Sequence, residues 1–155
     1  MKNKNLKNIG IVLKPSGITG LSNILTNLLR WLLRRSKIIH ISLHEKERLS
    51  KLLPNNLIQK IKFVDDKIIY NEVDILLSLG GDGTLLGVSR RISSKVPVFS
   101  VNLGRLGFIT EFSKTDFYEK LNVVFTGKYE TIKKNLYSMT VTNKDKKIAS
   151  QKRGY

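Results

Sequence analysis

The residues of this chain best suited to chemistry are Gly80-Gly81-Asp82-Gly83-Thr84, set directly behind the apolar run Asp74-Ile-Leu-Leu-Ser-Leu79. Glycines at a strand end let the backbone turn sharply and let a ligand approach it, because no Cβ is in the way. Backbone N–H groups in such a turn, with a helix start behind them, favour phosphate oxygens. A carboxylate in the same turn repels an anion, so Asp82 needs a task of its own. Holding Mg²⁺ or accepting a proton are the two such tasks. The outline is that of a phosphoryl-transfer or nucleotide-binding enzyme. For Gly80, Gly81 and Gly83 a plain turn is the competing reading.

The elements that position this loop follow from periodicity. Ile9 to Leu13 reads as a buried strand, broken by Lys14-Pro15-Ser16-Gly17. Leu21, Ile24, Leu25, Leu28, Leu29 and Leu32 recur at helical spacing, with Thr19 or Ser22 as the expected cap. Ile38 to Leu43 returns to strand character, Lys46 to Leu53 is a short helix, and Asn56 to Val64 fits either type. Asp74 to Leu79 is the next strand, Thr84 to Ser93 a helix, and Val96 to Val101 a further strand. Alternating strands and helices predict an α/β fold, an open and mostly parallel Rossmann-like sheet with helices on both faces. Ligands bind such sheets off the carboxyl ends of the strands. The loops at 80–84 and 102–108 both leave that edge, which argues for a site between them. Phe117 to Phe125 reads as a helix with Gly127 beyond its end. Leu136 to Thr142 alternates like a half-exposed strand. The polar, basic stretch Lys144 to Tyr155 offers it no partner. The expected division is an α/β domain at 1–125 and the incomplete start of a β-rich domain at 126–155.

Composition narrows the chemistry. The 155 residues hold no cysteine, which excludes disulfides, thiolate metal sites and cysteine nucleophiles. His40 and His44, four apart in an apparent strand and so on one face, suit a structural role better than a zinc site. The net charge of +16 suits an anionic partner, yet Lys, Asn and Ile are abundant together throughout. No segment concentrates the aromatic and basic residues of a nucleic-acid groove. No signal peptide or membrane-spanning run is legible, so a cytoplasmic protein without nucleic-acid or membrane partners is expected.

Two blocks together resemble a known family. Asp74-Ile-Leu-Leu-Ser-Leu-Gly-Gly-Asp-Gly-Thr-Leu-Leu86, followed by Val98-Phe-Ser-Val-Asn-Leu-Gly-Arg-Leu-Gly-Phe-Ile-Thr-Glu111, is similar to NAD kinases (ATP-NAD kinases). Diacylglycerol kinases, sphingosine kinases and 6-phosphofructokinases carry loops like the first block. The second block, Asn102 to Glu111, separates this chain from the lipid kinases. The resemblance spans about residues 8 to 142 and includes the Ile-Gly-Ile-Val-Leu-Lys-Pro15 start. It implies transfer of phosphate from ATP to the adenosine ribose 2′-hydroxyl of NAD, giving NADP, with Mg²⁺ or another divalent ion. It implies Asp82 as the proton acceptor. It also implies binding roles for Gly80, Gly81, Gly83, Thr84, Leu86, Asn102, Gly104 and Phe108, and a homodimer or homotetramer. For Leu86 and Phe108 the competing reading is core packing, and for Arg90, Arg91 and Arg105 plain surface charge.

The chain also departs from that family. Nothing after Met139 matches its second block, Asn-Glu or Asn-Asp in an apolar strand, and Asn71-Glu72 lies on the wrong side of the first loop. The ending Ser150 to Tyr155 reads as a truncation, frameshift or fragment. These 155 residues alone are therefore expected to make little NADP. The alternatives are a non-catalytic or decayed nucleotide-binding module and, more weakly, a lipid or sugar kinase of the Gly-Gly-Asp-Gly class.

Overall fold

The computed structural model describes residues 6–15, 19–104, 107–142 and 148–154, with backbone alone for 138–142 and 148–154. Strand β1 (Asn8–Leu13) turns Ile9, Ile11 and Leu13 into one core. Helix α1 (Leu21–Leu33) buries Leu21, Leu25, Leu28, Leu29 and Leu32 along a single stripe. Its N-cap is Gly20, at φ 73°, and neither Thr19 nor Ser22. Glycine enters that left-handed conformation without steric cost. Ser22 is thereby released to donate its hydroxyl to the Leu52 carbonyl at 2.6 Å.

Strand β2 (Ile38–Ser42) stops one residue earlier than expected. The Ser42 hydroxyl accepts the His44 N–H and bends the chain into a 3₁₀ turn at Leu43–Glu45. His40 and His44 therefore do not share a strand face. Helices α2 (Lys46–Leu52) and α3 (Asn55–Ile58) precede β3 (Ile61–Val64), which resolves the ambiguous segment into both types. Then come α4 (Asp66–Asn71), β4 (Ile75–Gly80), α5 (Asp82–Ser89), β5 (Val98–Asn102), β6 (Phe112–Ser113) and α6 (Phe117–Phe125).

The six strands lie in the order β3-β2-β1-β4-β5-β6, and every pairing is parallel. The expected open α/β sheet is present. One face is covered by α1, α2 and α6, whose Leu28, Leu49 and Phe117 meet Ile11, Leu77 and Val101. The other carries α4 and α5, where Ile69, Tyr70 and Val88 pack with Leu76. β4 is buried along its whole length, as a central parallel strand must be. Strand order reverses between β1 and β4, so a crevice forms where their carboxyl ends diverge.

The lone-strand expectation for the last third is corrected. β7 (Tyr137–Thr142) pairs antiparallel with β8 (Ile148–Gly154) in a separate two-stranded sheet, from Tyr137 opposite Gly154 to Thr142 opposite Ile148. The ladder is made of main-chain N–H and C=O groups, which a basic sequence supplies as readily as an apolar one. Leu136 is largely exposed, and the Met139 and Val141 side chains lie outside the described residues.

Candidate functional site

The glycine-rich segment is not an open loop. Gly80 is the last residue of β4, Gly81 is the N-cap of α5, and Asp82 is its first residue. The helix therefore starts two residues before the expected Thr84 and ends at Ser89. The Gly81 carbonyl accepts the N–H groups of Thr84 at 3.0 Å and Leu85 at 3.2 Å. A carboxylate in the first turn of a helix is favoured by the positive end of the helix dipole.

Packing separates these glycines. A Cβ on Gly80 would overlap the Thr84 hydroxyl and stand 2.8 Å from Thr84 Cβ and 3.1 Å from Lys14 Cβ. A Cβ on Gly83 would meet nothing within 4 Å. Gly80→Ala should thus cost about 1–3 kcal/mol, as overpacking does, while Gly83→Ala should leave stability intact. Urea unfolding of both variants checks this, and Thr84→Gly should relieve the Gly80→Ala strain. The backbone at Gly83 is uncovered on the side that a Cβ would fill.

Asp82 is the hub of the second loop. Its Oδ2 accepts the Phe108 N–H at 2.7 Å. Its Oδ1 accepts the N–H groups of Ile109 at 3.3 Å and Thr110 at 3.1 Å, and the Thr110 hydroxyl at 3.0 Å. The Phe108 N–H is the main reason that the carboxyl lies below its ordinary range. Partial burial opposes it, and the Thr110 and Ile109 bonds add to it. Close approach depends on Gly107, where a Cβ would overlap Oδ1 and lie 2.7 Å from both Asp82 Cγ and Thr110 Oγ1.

The other sites expected from the sequence divide. Asn102 closes β5, is buried, and accepts the Gly104 N–H at 3.0 Å through its side-chain oxygen, which shapes the turn after the strand. The Leu103 N–H reaches the Gly80 carbonyl at 2.7 Å, so the two strand ends are tied together. Phe108 is fully exposed at 103%, which overturns core packing for that ring. Leu86 is half-buried on α5. Arg105 lies outside the described residues.

Beside the first turn of α5 lies a cavity of about 550 Å³, whose lining includes Gly83, Thr84, Pro15, Ser42, Tyr70 and Arg91. That volume suits a small-molecule ligand. Sequence reasoning missed its far wall; Arg91 is exposed, as a surface charge is expected to be, but it also has fixed partners there. Arg91 pairs with Asp66 through Nη2 and lies over the Tyr70 ring, 4.4 Å from its centroid. The Ser42 hydroxyl donates to Asp66 Oδ1 at 2.6 Å. Burial alone would raise the Asp66 carboxyl, but the Ser42 and Arg91 bonds outweigh it and hold the group low. Ser42, Asp66 and Arg91 are 24 and 25 residues apart in sequence, so no local spacing could announce them. Arg90 and the exposed His44 also line the cavity.

Among the described residues no three His, Cys, Asp or Glu side chains gather into a metal-binding group. No described helix is long and apolar enough to cross a membrane.

Comparison with known proteins places this arrangement. The family model for the ATP-NAD kinase N-terminal domain matches residues 9–129. A NAD kinase of Solibacter usitatus (strain Ellin6076) is 32% identical over 146 residues, covering 94% of this chain and 47% of that protein. A NAD kinase of Magnetococcus marinus (strain ATCC BAA-1437 / JCM 17883 / MC-1) is 34% identical over 125 residues, covering 80% of this chain and 39% of that protein. Among solved structures, yeast NADH kinase complexed with NADH superposes with a TM-score of 0.67 at 18% identity, over 97% of this chain and 47% of that one, a likeness of fold. The chain spans about half the length of the curated relatives it matches. With the two motif blocks brought together at one sheet edge and a family model matched over most of its length, this chain belongs to the NAD kinase family.

Proposed function

We propose that this chain supplies the nucleotide-binding α/β domain, residues 1–125, of an enzyme that phosphorylates the adenosine ribose 2′-hydroxyl of NAD with ATP. The observation that carries this is the position of the α5 first turn. Its Gly83 and Thr84 line a cavity on one side, and its Asp82 carboxylate binds the 107–110 turn on the other. A phosphoryl donor in the cavity and an acceptor hydroxyl at Asp82 would meet across that turn. Loose phosphoryl transfer asks mainly for such alignment, with a carboxylate to take the proton.

The residue roles follow the geometry. Gly80, Gly81, Gly83 and Thr84 form the strand-to-helix corner, where the Thr84 N–H closes the turn on the Gly81 carbonyl and the glycine backbone ahead of it suits phosphate oxygens. Exposed Phe108 offers a ring face to a nucleotide base, and Asn102 with Gly104 holds the turn beneath it. Leu86 borders the same corner. Asp82 is ionised at neutral pH and a weak base, so it holds the hydroxyl first and accepts the proton late, as oxygen–phosphorus bonding develops.

The described residues do not build a cage for Mg²⁺, and the Asp82 carboxylate already takes four donors. A divalent ion therefore fits here as a companion of the ATP phosphates, its usual mode with nucleotides. Calorimetric titration of the purified chain with NAD and with MgATP tests the reading, alongside an NADP-forming assay on the gene product that carries these residues. Saturable binding of both nucleotides and ATP-dependent NADP formation are expected. Binding without turnover would favour a non-catalytic nucleotide-binding module, and no binding would sink both.

A further inference from the structure

The two oxygens of Asp82 are not equivalent. Oδ1 carries three donors, the N–H groups of Ile109 and Thr110 and the Thr110 hydroxyl. Oδ2 carries one, the Phe108 N–H. A carboxylate oxygen has about two lone-pair positions, so Oδ1 is saturated and Oδ2 has room for another donor. All four donors are neutral. Thr110 is the one residue among them that binds twice, through main chain and side chain, to the same oxygen. Gly107 makes room for that clamp, since any Cβ there would strike Oδ1 and crowd the Thr110 hydroxyl.

We infer that Thr110 is a positioning residue: its N–H and hydroxyl together pin Oδ1 of Asp82, which turns Oδ2 into the oxygen that receives the substrate hydroxyl and its proton. The substrate half of this statement rests on the NAD kinase reading; the clamp itself does not. During transfer the ribose O–H proton passes to Oδ2 as the ribose oxygen bonds to the γ-phosphorus, and the bond from that phosphorus to the β,γ-bridging oxygen breaks to leave ADP. Thr110 stays bound to Oδ1 throughout and takes no proton.

The test is a carbon-13 NMR titration of the Asp82 carboxyl in the purified chain and in two variants. Thr110→Val removes the hydroxyl at almost constant volume, and Thr110→Ser keeps it. The wild-type carboxyl should titrate below the ordinary range, the Val variant higher than wild type, and the Ser variant like wild type. An unmoved titration in Thr110→Val, or failure of Thr110→Ser to restore it, overturns the clamp. In the gene product, kcat for NADP formation should fall about tenfold in Thr110→Val with KM for ATP unchanged, an order of magnitude consistent with a small misplacement of a catalytic group. Unchanged kcat with a moved titration overturns the role of Oδ2. A wild type that forms no NADP defeats the kinase reading while the titration still decides the clamp. Circular dichroism verifies that both variants fold, as the partly exposed position of Thr110 leads us to expect.

Discussion

Asp82→Asn should lower NADP formation by about 10²–10⁴-fold, the usual contribution of a positioned acid–base group, with nucleotide binding largely retained. The amide oxygen of asparagine can accept the donors now held by Oδ1. Its NH₂ group, placed where Oδ2 stands, would face the Phe108 N–H donor to donor and offers nothing to take a proton. The substitution thus removes the chemistry and loosens one corner of the clamp. A coupled NADP assay with parallel titrations of NAD and MgATP reads both effects. Normal turnover in the variant would end the proton-acceptor assignment. The pH dependence of stability gives a second readout. The folded carboxyl lies below its unfolded value, so its stabilising contribution is present above the ordinary carboxylate range. It is lost as pH falls through the folded value. The Asn variant lacks that contribution, so its stability should fall less steeply on the acid side.

Gly107→Val should be nearly as damaging, with a loss of about 10²-fold in kcat, because the new side chain would occupy the place of the Asp82 carboxylate. The atoms in the way are the end of a short side chain and a neighbouring hydroxyl, not the sheet. Asp82 can swing aside at little cost to the fold, and the site is lost instead of the protein. Three consequences separate this from general destabilisation. The Phe108, Ile109 and Thr110 amides should exchange faster with solvent. The Asp82 carboxyl should titrate nearer the ordinary range. Leu28 and Leu29, fully buried in α1 on the far side of the sheet, should keep their native methyl signals. If the amides stay protected in the Val variant, the close approach of residue 107 to Asp82 is not what holds the turn.

Much of the architecture was legible in the chain because its signals are local. The leucine spacing of α1, the apolar run of β4 and the Gly-Gly-Asp-Gly-Thr segment each state their own geometry within a dozen residues. Boundaries were less legible where a residue served a distant partner. Ser22 could have capped α1 but bonds Leu52, and Ser42 could have continued β2 but turns the chain and binds Asp66. β8 was unreadable because strand pairing uses backbone groups that leave no mark in a polar sequence.

The sequence by itself determined that a carboxylate sits among glycines at a strand end, and that a second glycine-bearing block leaves the same edge of the expected sheet. Both facts are carried by residue type and short spacing. Only the tertiary structure decided what the carboxylate touches. Asp82 reaches across 26 to 28 residues to the Phe108–Thr110 turn, and Asp66 reaches Arg91 across 25. Those meetings depend on the parallel crossovers that bring the ends of β2, β3, β4 and β5 to one edge. Hydrogen-bond partners at such separations are fixed by topology, and a linear pattern of residue types does not encode them.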